Sequence, residues 1–360
     1  MKTNIENKKI AVVLVNYHDY AKRFLKPCRD SLRKQSLDSN NFQVYIVDND
    51  SSEETYNYLI NEYPEAIVLK RSDGNYAAAN NLGFRKGIED GAHYLVALNM
   101  DTEVEPDFLK ELSFALDNDD KAAMAQAKIL LYPKTEAERK NPKINSLGNI
   151  IQFLGFGFTS SYGELDRNID GYPEIKGYVS GCAFIIRKNA FIESGGLNEE
   201  FYMYHDDIEL SLKIRLLGYK MILAPKAVVF HKYEFERSVR MFYYMERNRY
   251  LTLFIFSSKR YLALILLPLL FMDLAMFFYA ILNGYFKELL KVYAYFLSRK
   301  NINRMFDDRK KLQKMKKVKF SKIARTFQAR IRFQEIANPV LKYIANPAMT
   351  VYWAMIKYLI

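Results

Sequence analysis

Ile10-Ala11-Val12-Val13-Leu14-Val15-Asn16-Tyr17 is an unbroken aliphatic run that ends on an amide side chain. A strand with one wet face alternates apolar and polar residues, whereas a run that is apolar throughout belongs to a strand buried on both faces. The pattern recurs along the next hundred residues. Phe42–Val47 ends in Asp48, Ala66–Leu69 leads to Arg71 and Asp73, and His93–Leu98 leads to Asp101. Between these runs lie three stretches of helical character, Tyr20–Ser36, Ser52–Glu62 and Tyr76–Glu89. This alternation predicts an α/β fold, a Rossmann-like and mostly parallel sheet flanked by helices. Such sheets bind ligands at the carboxyl ends of their strands. Those ends carry Asn16, Asp48, Asp73 and Asp101 here, an arrangement that suits a nucleotide.

Further along, residues 133–176 are rich in Gly, Pro, Asn and charge and read as a loop-rich insertion able to face a second substrate. Order resumes with a strand at Gly177–Arg187, a helix at Asp206–Leu217 stopped by Gly218, and short strands at Met221–Leu223 and Ala227–Phe230. A long aromatic helix follows at Glu236–Ser257. After residue 260 the character changes. Tyr261–Leu282 has a single charge, Asp273, and a single proline, Pro268, and is long enough to cross a bilayer. Those two residues are costly in lipid unless shielded, so a re-entrant or in-plane helix is equally open. Tyr285–Leu297 reads as interfacial, and Ile336–Ile360 is again apolar. The expected organisation is a catalytic domain over residues 1–258 and a helical, membrane-associating extension over 259–360.

The chain of 360 residues has 53 Lys and Arg against 41 Asp and Glu, a net charge of +12. Half of it is hydrophobic, which excludes a mainly disordered protein. The charge is not spread evenly. Residues 299–332 hold 14 Lys/Arg and only Asp307 and Asp308 as acids, so the remainder is balanced. Cys28 and Cys182 are far apart and no early apolar run resembles a secretory signal, so a reducing, cytosolic location is expected for the catalytic part. CxxC, HExxH, GxGxxG and GxxxxGK[ST] motifs are missing from the sequence, which weakens zinc-protease, P-loop and dehydrogenase readings.

Four clusters carry chemistry. In Leu98-Asn99-Met100-Asp101 an apolar strand delivers a carboxylate to the sheet edge, where it could hold a divalent cation or simply open the next helix. In His205-Asp206-Asp207-Ile208-Glu209 three carboxylates crowd four positions, which suits either an N-terminal helix cap or a catalytic base. His231 follows an apolar run and is a metal ligand only if it returns to Asp101 in space. Asp73-Gly74-Asn75-Tyr76-Ala77 combines residues tolerant of positive φ with small side chains at a helix start, which lets backbone N–H groups face phosphate, or is an ordinary turn.

Taken in order, these motifs resemble a family 2 glycosyltransferase, closest to its rhamnosyltransferase-like branch. The resemblance rests on Val15-Asn16-Tyr17, Asp48-Asn49-Asp50-Ser51-Ser52, Asp73–Asn81, Leu98–Asp101, Val179–Phe184, Gly195–Phe201 and the later carboxylate cluster, and covers about residues 8–257. It implies a GT-A fold. It also implies that Asn16, Asp48, Asp73 and Asn99 contact the nucleotide-sugar, with Asp48 near the base and Asn99 near the ribose or the metal. Asp101, in the place of the family's DxD motif, and His231 would hold Mg²⁺ or Mn²⁺, and Asp207 would be the general base. Tyr244–Asn248 resembles the Arg-Asn helix that follows such domains. Asp206, Glu209, Lys213, Asn75 and Asn99 depart from the usual residues without removing the base or the main metal ligand.

The expected activity is therefore inverting, metal-dependent transfer of a hexosyl or deoxyhexosyl group, rhamnosyl among the options. The acceptor would be a hydroxyl of a saccharide or lipid-linked saccharide in cell-surface glycan synthesis. Because nucleotide sugars are cytosolic, residues 261–360 are expected on the cytoplasmic face of the membrane, with the basic segment against anionic lipid. A homo-oligomer is left open. Two rivals are a nucleotidylyltransferase, which would release pyrophosphate, and a nucleic-acid-binding protein, which would leave Asp48, Asp101 and Asp206–Glu209 unexplained; no nucleic-acid partner is expected.

Overall fold

The computed structural model describes residues 9–233, 241–332 and 339–360. The chain forms two compact units. The first comprises Met1–Asn149, Thr159–Leu210 and Tyr219–Tyr233. It alternates β1 (Ile10–Tyr17), α1 (Tyr20–Leu32), β2 (Phe42–Asn49), α2 (Glu53–Glu62), β3 (Ile67–Arg71), α3 (Tyr76–Glu89) and β4 (Tyr94–Leu98). Then come β5 (Thr102–Val104), α4 (Phe108–Asp117), β6 (Ala122–Leu131), α5 (Glu136–Lys140) and β7 (Ile144–Ser146). After a small hairpin that falls mostly in the second unit, β8 (Asn149–Ile151) and β9 (Gly157–Thr159), the chain continues through β10 (Ala183–Arg187), α6 (Lys188–Ser194), α7 (Asp206–Leu216), whose first half belongs to the first unit, and β11 (Lys220–His231).

Nine strands make one sheet in the order β3-β2-β1-β4-β10-β6-β11-β5, with β7 on β6. Its first half, β3-β2-β1-β4, is wholly parallel, as the both-faces-apolar runs require. Its second half is mixed, because β10 enters antiparallel between β4 and β6. Close seating of α3 on β1 depends on two glycines. A Cβ at Gly83 would lie 2.6 Å from Val13 Cγ1, and one at Gly87 would overlap the Ala11 side chain. Val13 is fully buried under α3 as a result, while Val12 and Leu14 are fully buried in the core on the opposite face of the sheet, each contributing about 1.5–3 kcal/mol.

Three elements differ from their sequence reading. Met221–Leu223 and Ala227–Phe230 are one strand, β11, whose register against β6 shifts between Ala224 and Val228. Pro225 lies in that gap, and a residue without an N–H interrupts the ladder without ending the strand. Gly177–Arg187 is a strand only from Ala183 onward. Its first part makes only a single bridge, Tyr178 with Asn149, because side chains take the N–H groups that follow: Ser180 N donates to Gln126 Oε1 and Gly181 N to Asp207 Oδ2. The helix expected over Glu236–Ser257 is seen as α8 (Phe242–Phe256), its expected start lying outside the described residues.

The second unit comprises Ile150–Phe158, Ser211–Gly218 and Glu234–Ile360. Beyond α8 it contains α9 (Lys259–Leu282), α10 (Phe286–Leu297), α11 (Arg299–Met315), α12 (Phe320–Ala324) and α13 (Asn346–Ile356). Its aromatic core stacks Phe153 on Trp353 at 4.9 Å, and the Tyr261 hydroxyl donates to Phe153 O.

Candidate active site

The carboxyl ends of the first unit's strands carry the polar residues singled out in the sequence. Asn16 and Asp48 are register partners on β1 and β2, and both are buried. Asn16 Nδ2 donates to Asp48 Oδ1 at 2.7 Å and to His18 O, while Asn16 Oδ1 accepts from Ala21 N and Ser51 Oγ donates to Asp48 Oδ2. Asp48 is thus held in one rotamer. His18 and Asp50 leave these strands at φ of 50° and 61°, backbone strain of the kind that collects at functional edges. Next to Asp48, Asn49 Oδ1 accepts from Gly74 N, but its buried Nδ2 meets no hydrogen-bond partner among the described residues. A buried donor left over at a sheet edge is a group that a ligand acceptor could satisfy.

The turn after β3 is fixed from two sides. Arg71 donates from Nε and Nη2 to the two oxygens of the Asp73 carboxylate, and that hydrogen-bonded pairing holds the carboxyl below the usual aspartate range. Asp73 is half exposed, and its backbone oxygen accepts from the Tyr202 hydroxyl. Asn75 caps α3 by accepting from Ala78 N and also donates to Glu199 O. Gly74 has φ of +69°, and a Cβ there would overlap the Tyr202 hydroxyl and approach Tyr17 to 3.2 Å. Gly74→Ala is therefore expected to lose about 1–3 kcal/mol of stability. Denaturation midpoints check this, and a variant as stable as the parent would refute it.

Tyr76, in the first turn of α3, donates its hydroxyl to Asn99 Oδ1 at 2.9 Å, and Asn99 N donates to Cys182 O. Two residues on, Asp101 is buried with Oδ1 3.5 Å from His231 Nε2. β11 brings His231 back to this point, since Thr102 and His231 are register partners. Asn145 Oδ1 lies 3.0 Å from His231 Nδ1, which fixes Nδ1 as the donor and points Nε2 at Asp101. Burial opposes charge on this ring, yet Cys182 and Asp101 beside it outweigh burial and raise its pKa.

Asp207 stands at the start of α7 and accepts from Gly181 N at 3.1 Å and from Ile208 N at 2.8 Å. Burial raises its pKa above the aspartate range, and burial together with the Asp207 charge raises that of Asp206. The loop leading in is strained, with Tyr202, Tyr204 and His205 all at φ of 60–65°. Besides the Tyr202 hydroxyl on Asp73 O and Asn75 on Glu199 O, the contacts that hold it include Ala77 N donating to Tyr202 O and Asn81 bridging Leu197 and Glu199.

A continuous chain of contacts thus runs from Asn16 and Asp48 through Asn49–Gly74, Tyr76–Asn99, Asn99–Cys182 and Gly181–Asp207. Asp73 joins it by backbone alone, its carboxylate being engaged by Arg71. Among the described residues no group of three or more His, Cys, Asp or Glu side chains is placed to hold a metal. Asp101 and His231 are a buried oxygen–nitrogen pair that fits a divalent cation such as Mn²⁺ provided a ligand supplies further oxygens. Asn49, Asn145, Gln126 and Tyr202 were not singled out in the sequence. Only Asn49 had a signal, its place between Asp48 and Asp50.

The model of glycosyl transferase family 2 matches residues 11–195. The uncharacterized protein y4gI of Sinorhizobium fredii is 31% identical over 212 residues, which is 53% of this chain and 21% of y4gI, so the chain spans about a fifth of that relative. The dTDP-rhamnosyl transferase RfbF of Shigella flexneri is 24% identical over 229 residues, 62% of this chain and 69% of RfbF. A crystal structure of GalNAc-T7 with UDP, GalNAc and Mn²⁺ superposes with a TM-score of 0.54 at 18% identity, covering 68% of this chain and 48% of that one. What is shared with that structure is the fold.

Proposed function

The chain belongs to glycosyl transferase family 2, and from that premise we propose that it transfers a hexosyl or deoxyhexosyl group from a nucleotide-sugar to an acceptor hydroxyl with inversion. The observation that supports the reading is the chain of contacts that links the half-buried Asp207 carboxylate to the Asn16–Asp48 pair at the strand ends. Asn16, Asp48, Asp73 and Asn99 bind the nucleotide half of the donor, and the spare Asn49 Nδ2 donates to it. Asp101 and His231 hold the cation, which when bound offsets charge on the diphosphate.

Asp207 takes the proton of the acceptor hydroxyl. The hydroxyl oxygen forms a bond to the anomeric carbon as the bond from that carbon to the phosphate oxygen breaks. The products are a glycoside of opposite configuration and a nucleoside diphosphate, with the proton left on Asp207. Catalysis by such a base contributes about 10²–10⁴-fold. Burial suits Asp207 to the task, because a raised pKa makes its carboxylate a stronger base. RfbF makes dTDP-rhamnose the first donor to test. A saccharide or lipid-linked saccharide of a surface glycan is the proposed acceptor, met at the cytoplasmic face of the membrane through residues 261–360.

A panel of nucleotide sugars, read by calorimetry with and without Mn²⁺, tests this reading. One donor is expected to bind with a metal-dependent increment, and Asp101→Asn to abolish that increment. Turnover should release nucleoside diphosphate. Release of pyrophosphate from a nucleoside triphosphate, or donor binding indifferent to metal, would overturn it.

A further inference from the structure

Helix α9 is apolar on both faces, and the second unit covers only one of them. Tyr261, Ile265, Leu269 and Ala280 are buried, spread along almost the whole helix. Asp273, near its middle, faces the same way: it accepts from the Tyr250 hydroxyl and lies 3.6 Å from the Arg249 guanidinium. The opposite face repeats Leu266, Leu270, Leu274, Phe278 and Leu282 at every fourth position, each 54–83% exposed. Phe271 widens the stripe and is 66% exposed. Helix α10 continues the theme with exposed Phe286, Leu290, Tyr293 and Leu297.

The charge of the same unit says what covers this face. α11 packs against α8 and α10, and the segment 299–332 to which it belongs carries 14 cations against two acids. A partner that is apolar and anionic together is a bilayer with acidic headgroups. α9 has the length and hydropathy to cross such a bilayer. A crossing would, however, carry the Arg249–Glu246–Asp273 ion cluster to the depth of the helix midpoint, where charge is most costly. Lying in the plane leaves that cluster on the side of the helix away from lipid.

We propose that the second unit docks in the plane of an anionic membrane surface, the Leu266–Leu282 stripe of α9 sunk into the acyl boundary and the cations of 299–332 on the headgroups. This deepens the membrane placement proposed above and rests on it.

Full-length protein floated with phosphatidylcholine vesicles, with and without one-third phosphatidylglycerol, tests the docking. Strong flotation is expected only with the anionic lipid, falling as salt is raised. Leu270→Glu with Leu274→Glu should abolish it. Replacing exposed Lys310, Lys314, Lys319 and Lys322 by Gln should weaken it by up to about a thousandfold at low salt, which keeps the test alive if the stripe variant misfolds. Nitroxide labels on cysteines placed at 266, 270, 274 and 278 should all report one shallow depth, about 5–10 Å below the headgroups. A depth profile that deepens to the bilayer centre along the helix, flotation indifferent to lipid charge, or a stripe that proves to bury itself in a stable dimer without binding vesicles, would each overturn the proposal. Donor binding in solution is read on the same variants. If it is intact where flotation is lost, the docking surface is separate from the donor site; if wild type floats as expected but binds no donor, the catalytic reading fails while the docking stands.

Discussion

Asp207→Asn is expected to lower turnover by about 10²–10⁴-fold while leaving donor binding unchanged. Asn keeps the size of the side chain and one of the two acceptor oxygens, so the Ile208 N–H at the start of α7 can stay bonded while the Gly181 N–H loses its acceptor, a local cost of about 1–3 kcal/mol that does not reach the donor-binding residues. It cannot take a proton from a hydroxyl. The pH dependence gives a second readout. Burial raises the Asp207 pKa, so the acid limb of kcat should lie above the ordinary aspartate range, with activity falling as pH drops through it. Stability runs the other way. Asp206 and Asp207 bind protons more tightly folded than unfolded, so their contribution to stability is full below the unfolded pKa and is lost as pH rises through the folded values. Removing one of the two charges should therefore leave the neutral-pH denaturation midpoint no lower than that of the parent. Retained turnover, or donor binding lost along with it, would remove Asp207 from the role of base.

The parallel half of the sheet was legible because buried strands leave apolar runs and because acids and amides at their ends have no packing reason to be there. Asp48, Asp101 and the Asp206–Glu209 cluster stand out on that ground alone. The return of His231 to Asp101 was not legible, since it depends on β11 pairing antiparallel with β5 across more than a hundred residues of chain. Nor were the residues that hold the site in shape. Gln126, Asn145 and Tyr202 meet their partners at sequence separations of 54, 86 and 129, and nothing local distinguishes them from ordinary polar residues. β6 carries no strand signature either, because Ala122–Ala127 is rich in alanine, although it is buried from Ala122 to Leu130 between β10 and β11. Asp273 was legible as a cost but not in its solution, which lies in α8.

That solution sets the second large effect, a loss of about 3–5 kcal/mol from the second unit on Arg249→Met. Arg249 is wholly buried, and its guanidinium donates to Glu246 Oε2 at 2.8 Å and to Leu154 O at 3.1 Å, with Asp273 at 3.6 Å. Phe156 and Tyr250 offer their ring faces to it at 4.5 and 4.4 Å. Burial opposes its charge, but Glu246 outweighs burial and keeps it protonated. Methionine fills much of the volume and removes the cation. Glu246 is then a buried carboxylate without its counter-ion and Leu154 O a buried acceptor without this donor, and leaving such groups behind costs more than the pair contributes when intact. Adding Glu246→Gln should restore a large part of the loss, because it removes the stranded charge. The readout is the urea or thermal transition of the full-length protein. A single variant as stable as the parent would mean that the cluster is solvated and that Asp273 needs no shielding. A membrane-spanning α9 would then carry no costly buried ion cluster into lipid, so the stability of Arg249→Met and the nitroxide depth profile must agree.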